Sequence, residues 1–143
     1  MKYMIIGGVA GGASTAARLR RLDEQAEIIL FEKGEYISYA NCGLPYYIGG
    51  VIEERERLFV QTPESFKARF NIEVRIKSEV KAIEPENKQV VIKDWATGKT
   101  YRESFDKLVL SPGAEPVLPP WEGIRTEGIF TLRNVADTDR IRK

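Results

Sequence analysis

Gly7-Gly8-Val9-Ala10-Gly11-Gly12 stands between a short apolar run, residues 3–6, and a segment rich in Ala, Arg and Leu, residues 13–22. A chain that leaves a buried strand, turns sharply and enters a helix needs residues without a Cβ at the turn and where helix meets strand. The helix begun in this way aims its free backbone N–H groups past the turn, where they suit a pyrophosphate. In this frame Gly7 makes the turn and Gly12 allows helix and strand to pack closely, while the middle position of a G-x-G-x-x-G pattern is held by Val9. Residues 28–31 form a second apolar run that ends at Glu32, 20 residues beyond Gly12. A carboxylate at that strand end takes the hydroxyls of a ribose, and its charge favours an unphosphorylated one. The opening therefore reads as a βαβ unit for FAD or NAD rather than NADP. Without the glycine turn, Glu32 would be an ordinary solvated strand end.

The rest of the chain extends an α/β reading. Residues 63–70 read as a short helix with Thr62 as N-cap, and residues 72–76 alternate as a strand. Residues 80–83, 89–93 and 100–105 pair naturally into a small antiparallel β-meander with a turn near 96–99. Residues 108–110 are a further buried strand, closed by Ser111-Pro112-Gly113, and Pro116, Pro119 and Pro120 favour an extended loop after it. Residues 134–143 begin like a capped helix. Repeats and low-complexity tracts are absent. The fold expected is Rossmann-like, a parallel sheet with the meander inserted in it.

Composition narrows the chemistry. The chain has 143 residues, 43% hydrophobic and 30% charged, enough for one compact domain but short for an enzyme holding two nucleotides. With Lys+Arg at 22 and Asp+Glu at 21, the formal net charge of +1 offers neither nucleic acid nor an anionic membrane an attraction. The first apolar run is too short for a signal segment, and no stretch approaches a membrane span. There is no histidine, which excludes histidine triads and histidine-bearing zinc sites; no metal site is expected. The single cysteine, Cys42, cannot form an internal disulfide, which fits a reducing compartment such as the cytoplasm.

Cys42 lies in Ser38-Tyr39-Ala40-Asn41-Cys42-Gly43-Leu44-Pro45-Tyr46-Tyr47-Ile48-Gly49-Gly50. A lone cysteine is ordinarily a small core hydrophobe. Here Asn41, Gly43 and Pro45 are poor core neighbours, and Gly-x-Pro suits a helix start, where a thiol is more readily ionised. The positions five residues either side of Cys42 are Ile37 and Tyr47, so no second cysteine resolves it. Its oxidised form is a sulfenic acid or a mixed disulfide with a small thiol. Ser14, Arg18 and Arg21, spaced by four and three residues, share one face of the first helix; the two cations either lie solvated beside Asp23 and Glu24 or bind phosphate.

On this cysteine segment the chain resembles the coenzyme A-disulfide reductase, NADH oxidase and NADH peroxidase branch of the pyridine nucleotide-disulfide oxidoreductases. Tyr39 stands where phenylalanine is usual. The likeness extends through Asp106-Lys107-Leu108-Val109-Leu110-Ser111-Pro112-Gly113-Ala114-Glu115-Pro116, similar to the family's second flavin motif, and Phe130-Thr131-Leu132-Arg133-Asn134. It implies that residues 1–143 are the N-terminal part of an FAD-binding domain, with the nicotinamide-binding and dimerisation domains of a homodimer lying outside the chain. It further implies FAD contacts from Gly7, Gly8, Val9, Ala10, Gly11, Gly12, Glu32, Lys33, Val80, Ser111, Pro112, Gly113 and Arg133. Cys42 would be the nucleophile and Asn41 would orient its sulfur. Coenzyme A would meet Ser14, Arg18, Arg21, Ser38 and Asn41.

The implied activity is reduction of coenzyme A disulfide, or a related persulfide or polysulfide, by NADH or NADPH through FAD and Cys42. The alternative is an NADH oxidase or peroxidase cycling through a sulfenic acid. That reading has less use for the Arg18/Arg21 face, and the peroxidases carry a histidine after the glycine turn. A third reading is a flavin-binding fragment without catalysis.

Overall fold

The computed structural model describes residues 1–143. Where the composition suggests one compact domain, the contacts fall into two units, residues 1–39 with 61–112 and residues 40–60 with 113–143.

The first unit is built on four parallel strands in the order β3-β2-β1-β7: β1 (Lys2–Ile6), β2 (Glu27–Phe31), β3 (Glu73–Arg75) and β7 (Lys107–Leu110). The central strands read as unbroken apolar runs because both their faces are covered. Ile5 of β1 and Ile28 and Leu30 of β2 face a core shared with Ala13, Ala16, Phe66 and Ile72. Met4, Ile29 and Phe31 face the opposite core, closed by Val90 and Ile92. Burying each of these large side chains contributes about 1.5–3 kcal/mol. The first core is roofed by α1 (Ala10–Leu22) and α3 (Pro63–Phe70). The second is roofed by the antiparallel sheet of β4 (Ser78–Glu84), β5 (Gln89–Asp94) and β6 (Thr100–Ser104), joined in that order. The Rossmann-like parallel sheet and the inserted meander thus stand as the sequence implies.

Two local details refine that reading. α1 starts at Ala10, so Gly11 and Gly12 lie inside the helix and only residues 7–9 form the turn. At α3 Thr62 accepts from the Ser65 N–H and Ser65 Oγ in turn accepts from the Thr62 N–H, a reciprocal cap.

The second unit carries a 3-10 turn, Asn41–Gly43, that runs directly into the short helix α2 (Leu44–Ile48), with a second 3-10 turn at Arg55–Leu58. An irregular proline-containing loop follows Gly113 and leads to α4 (Val135–Arg142), which packs on α2. Asn134 caps α4 by accepting from the Asp137 N–H, and Asp137 Oδ2 accepts from the Asn134 N–H.

Candidate functional site

In the first unit the glycine turn is shaped by contact rather than by propensity. Gly7 has φ +95, a conformation an L side chain resists, and a Cβ there would stand 2.0 Å from the Ser111 carbonyl oxygen. A Cβ on Gly12 would stand 1.7 Å from the Gly7 carbonyl oxygen, and one on Gly8 would strike Ile37 and Leu30. The strands fix the approach: the Gly7 N–H donates to Phe31 O (2.8 Å) and the Ser111 N–H to Ile6 O (2.8 Å). Ser111, at the end of β7, also lies against the first turn of α1, since a Cβ on Gly11 would be 3.1 Å from its hydroxyl. The glycine turn and the Ser-Pro-Gly stretch therefore meet through Ser111, although about a hundred residues separate them.

Glu32 ends β2 beside this turn. Its Oε2 accepts from the Gly8 N–H (2.8 Å) and its Oε1 from the Gly34 N–H (2.7 Å). Charge-assisted bonds of this kind hold the carboxylate in one orientation. Ser38, left-handed at φ +45, donates its N–H to Gly8 O (2.8 Å), so the next loop is anchored on the same glycine. A flavin dinucleotide's ADP half fits this arrangement: no side chain caps the N-terminus of α1, where Val9 is the cap residue, and no acidic residue sits in its first turn.

The remaining candidates of this unit spread more widely. Lys33 is exposed. Val80 is half-buried against the Met4–Val90 core, a packing role that sequence reasoning did not foresee. Ser14, Arg18 and Arg21 all lie exposed on α1. Neither Arg18 nor Arg21 forms an ion pair with Asp23 or Glu24; that structural work falls to Arg20, whose guanidinium donates to the carbonyls of Asp23, Glu24, Phe70 and Asn71.

The second unit holds the thiol. Cys42 is a free, exposed cysteine in the turn that leads into α2, and Pro45 lies in that helix's first turn. The Gly43 N–H donates to Ala40 O (2.9 Å) and the Ala40 N–H to Leu58 O (2.8 Å), tying the turn to the chain that returns past it. Asn41 Oδ1 is shielded from solvent and has no hydrogen-bond partner, a condition that a buried acceptor rarely keeps without a purpose. Pro112 and Gly113 are exposed; Gly113 has φ +73, and a Cβ on it would lie 2.6 Å from Nη2 of Arg133. Arg133 donates from Nε to Ala114 O (2.5 Å), so the two family stretches meet here. No group of three or more potential ligands is gathered that could hold a metal ion.

A glycine turn with an acidic strand end, followed by an exposed cysteine at a helix start, defines a class. The model of the family described as pyridine nucleotide-disulphide oxidoreductase matches residues 1–143, and the chain belongs to that family. It is 46% identical over 140 residues to a coenzyme A disulfide reductase of Staphylococcus aureus strain JH9, covering 98% of this chain and 31% of that protein. The chain thus spans about a third of the length of such relatives. The crystal structure of reduced Bacillus anthracis CoADR-RHD superposes with a TM-score of 0.96 at 59% identity, over 99% of this chain and 26% of that one. A NAD-dependent persulfide reductase from A. fulgidus gives a TM-score of 0.93 at 37% identity, over 99% of this chain and 26% of that one.

Proposed function

We propose that this chain forms the N-terminal flavin-binding part of an NAD(P)H-dependent reductase of coenzyme A disulfide or a related persulfide, working through Cys42. The observation that carries this reading is the exposed, unpaired Cys42 at the start of α2, in a chain whose similarity to coenzyme A disulfide reductases runs almost end to end. No helix is long and apolar enough to cross a membrane, and the reading includes a cytoplasmic homodimer with a small-molecule thiol substrate.

The glycine turn, Glu32 and the Ser111 loop would hold FAD, which when bound would supply two-electron transfer from the nicotinamide. The Cys42 thiolate attacks one sulfur of coenzyme A disulfide; the substrate S–S bond breaks, a Cys42–S–S–coenzyme A bond forms, and one coenzyme A leaves as thiolate. Two electrons then break the mixed disulfide, returning Cys42 to thiolate and releasing the second coenzyme A, with protons from NAD(P)H and solvent completing two thiols. Asn41 orients the sulfur. The Ser14–Arg18–Arg21 face of α1 binds substrate phosphates, an assignment supported by two exposed guanidinium groups on one face of that helix. Each charge-assisted bond to phosphate is worth roughly 1.5–3 kcal/mol.

In the full-length protein, Cys42→Ser abolishes thiol release. Arg18→Ala with Arg21→Ala raises KM for coenzyme A disulfide by about a hundredfold while leaving flavin reduction by NADH intact. Intact mass of the resting enzyme shows Cys42 carrying coenzyme A. Sulfenic acid alone, together with unchanged KM in the double variant, refutes the coenzyme A reading in favour of an oxidase or peroxidase.

A further inference from the structure

Cys42 sits between two arms of the second unit. On one side α2 continues from its turn, and on the other the chain returns through the Arg55–Leu58 turn, joined to it by the Ala40 N–H bond to Leu58 O. The fit between turn and return is close, because a Cβ on buried Gly43 would come within 3.2 Å of Leu58 and 3.4 Å of Ile52. Neither arm is long enough to be rigid by itself; α2 has five residues and the return turn four.

Both arms are gripped by α4. The Arg142 guanidinium lies 3.9 Å from the ring centroid of Tyr47, a buried side chain of α2. Arg55, the first residue of the return turn, donates to Asp139 in a fork, from Nε at 2.9 Å and from Nη2 at 2.7 Å. Asp139 and Arg142 are three residues apart and so share a face of α4. That helix is in turn fixed by its own cap, with Asp137 Oδ2 accepting from the Arg133 and Asn134 N–H groups.

We propose that Asp139, Arg142 and Arg55 are positioning residues for Cys42: α4 clamps the two arms and thereby fixes the direction from which the sulfur can attack. The inference rests on the reading of Cys42 as a nucleophile. Disulfide exchange needs the attacking sulfur in line with the bond it breaks, so freedom of the Cys42 turn lowers the reactive fraction without touching substrate affinity. The forked guanidinium–carboxylate pair and the ring-stacked guanidinium supply direction as well as attraction, which a lone exposed ion pair does not.

The test is single-turnover kinetics of the flavin-loaded, full-length protein with coenzyme A disulfide, alongside thermal unfolding. Asp139→Asn and Arg142→Leu are expected to slow mixed-disulfide formation by about tenfold or more with KM nearly unchanged. Arg142→Lys keeps the cation over Tyr47 and recovers most of the rate. The exchanged pair Arg55→Asp with Asp139→Arg restores the rate that Asp139→Asn loses. Wild-type rates in folded Asp139→Asn and Arg142→Leu overturn the proposal, as does a loss that follows only the unfolded fraction and that neither Arg142→Lys nor the exchange repairs. A wild-type Cys42 inert toward the disulfide overturns the reading beneath it instead.

Discussion

Glu32 has a structural task of its own beside the ribose contact proposed for it. Its oxygens hold the Gly8 and Gly34 N–H groups, so it shapes the glycine turn. Glu32→Ala in the full-length protein therefore lowers flavin affinity by on order of ten- to a hundredfold, read as flavin absorbance retained after dialysis. Unchanged retention removes Glu32 from the site. Gly12 offers a sharper steric test. With a Cβ placed 1.7 Å from the Gly7 carbonyl oxygen, Gly12→Ala forces helix and strand apart and costs roughly 1–3 kcal/mol or more, measured by urea unfolding. At this scale Gly7, Gly12, Glu32 and Cys42 are legible in the sequence, because each is a residue type whose chemistry its immediate neighbours explain. Asp139 and Arg142 are not. Their partners lie 84 residues away for Asp139 and on α2 for Arg142, and nothing in the pattern of a charged terminal helix names them.

Among elements, the meander is held to the parallel sheet by charge as well as by its apolar face. Glu103 of β6 accepts from Lys2 Nζ (2.6 Å) on β1 and from Arg75 Nη1 (2.7 Å) on β3, and Glu73 and Glu27 complete the cluster. Burial pushes the Glu103 carboxyl upward, but the hydrogen bonds from Lys2 and Arg75 outweigh it and hold it below the ordinary glutamate value of 4.5. Its contribution to stability is thus complete above about pH 4.5 and fades as the pH falls through the depressed value. Glu103→Gln is expected to lower the melting temperature at pH 7 and to flatten its decline below pH 4.5; an acid limb as steep as wild type's contradicts this. Strand periodicity and the Thr62 cap make most elements readable. The start of α1 is hidden because two glycines, poor helix formers, occupy its first turn. The start of α2 is readable from Gly43-Leu44-Pro45, but its extent is not, because Leu-Pro-Tyr-Tyr-Ile is too short to show a helical period.

At the scale of the whole chain, the glycine turn and the thiol turn belong to different compact units. Each was readable as a motif; the division itself was not, since the second unit is assembled from two excursions of the chain. We expect the 143-residue chain alone to bind FAD weakly and to show no NADH turnover, because relatives such as the S. aureus protein are about three times as long. Steady NADH consumption by this chain would contradict that expectation. The strand order β3-β2-β1-β7 carries a consequence for how the first unit forms. β1 and β2 are joined through a single helix, but the other edge of β1 is paired by β7, and the Lys2 N–H reaches Asp106 across 104 residues. Closing so long a loop is slow compared with local pairing. We expect the central strand to stay one-sided, its edge open, until β7 reaches it, and refolding to be paced by that long closure.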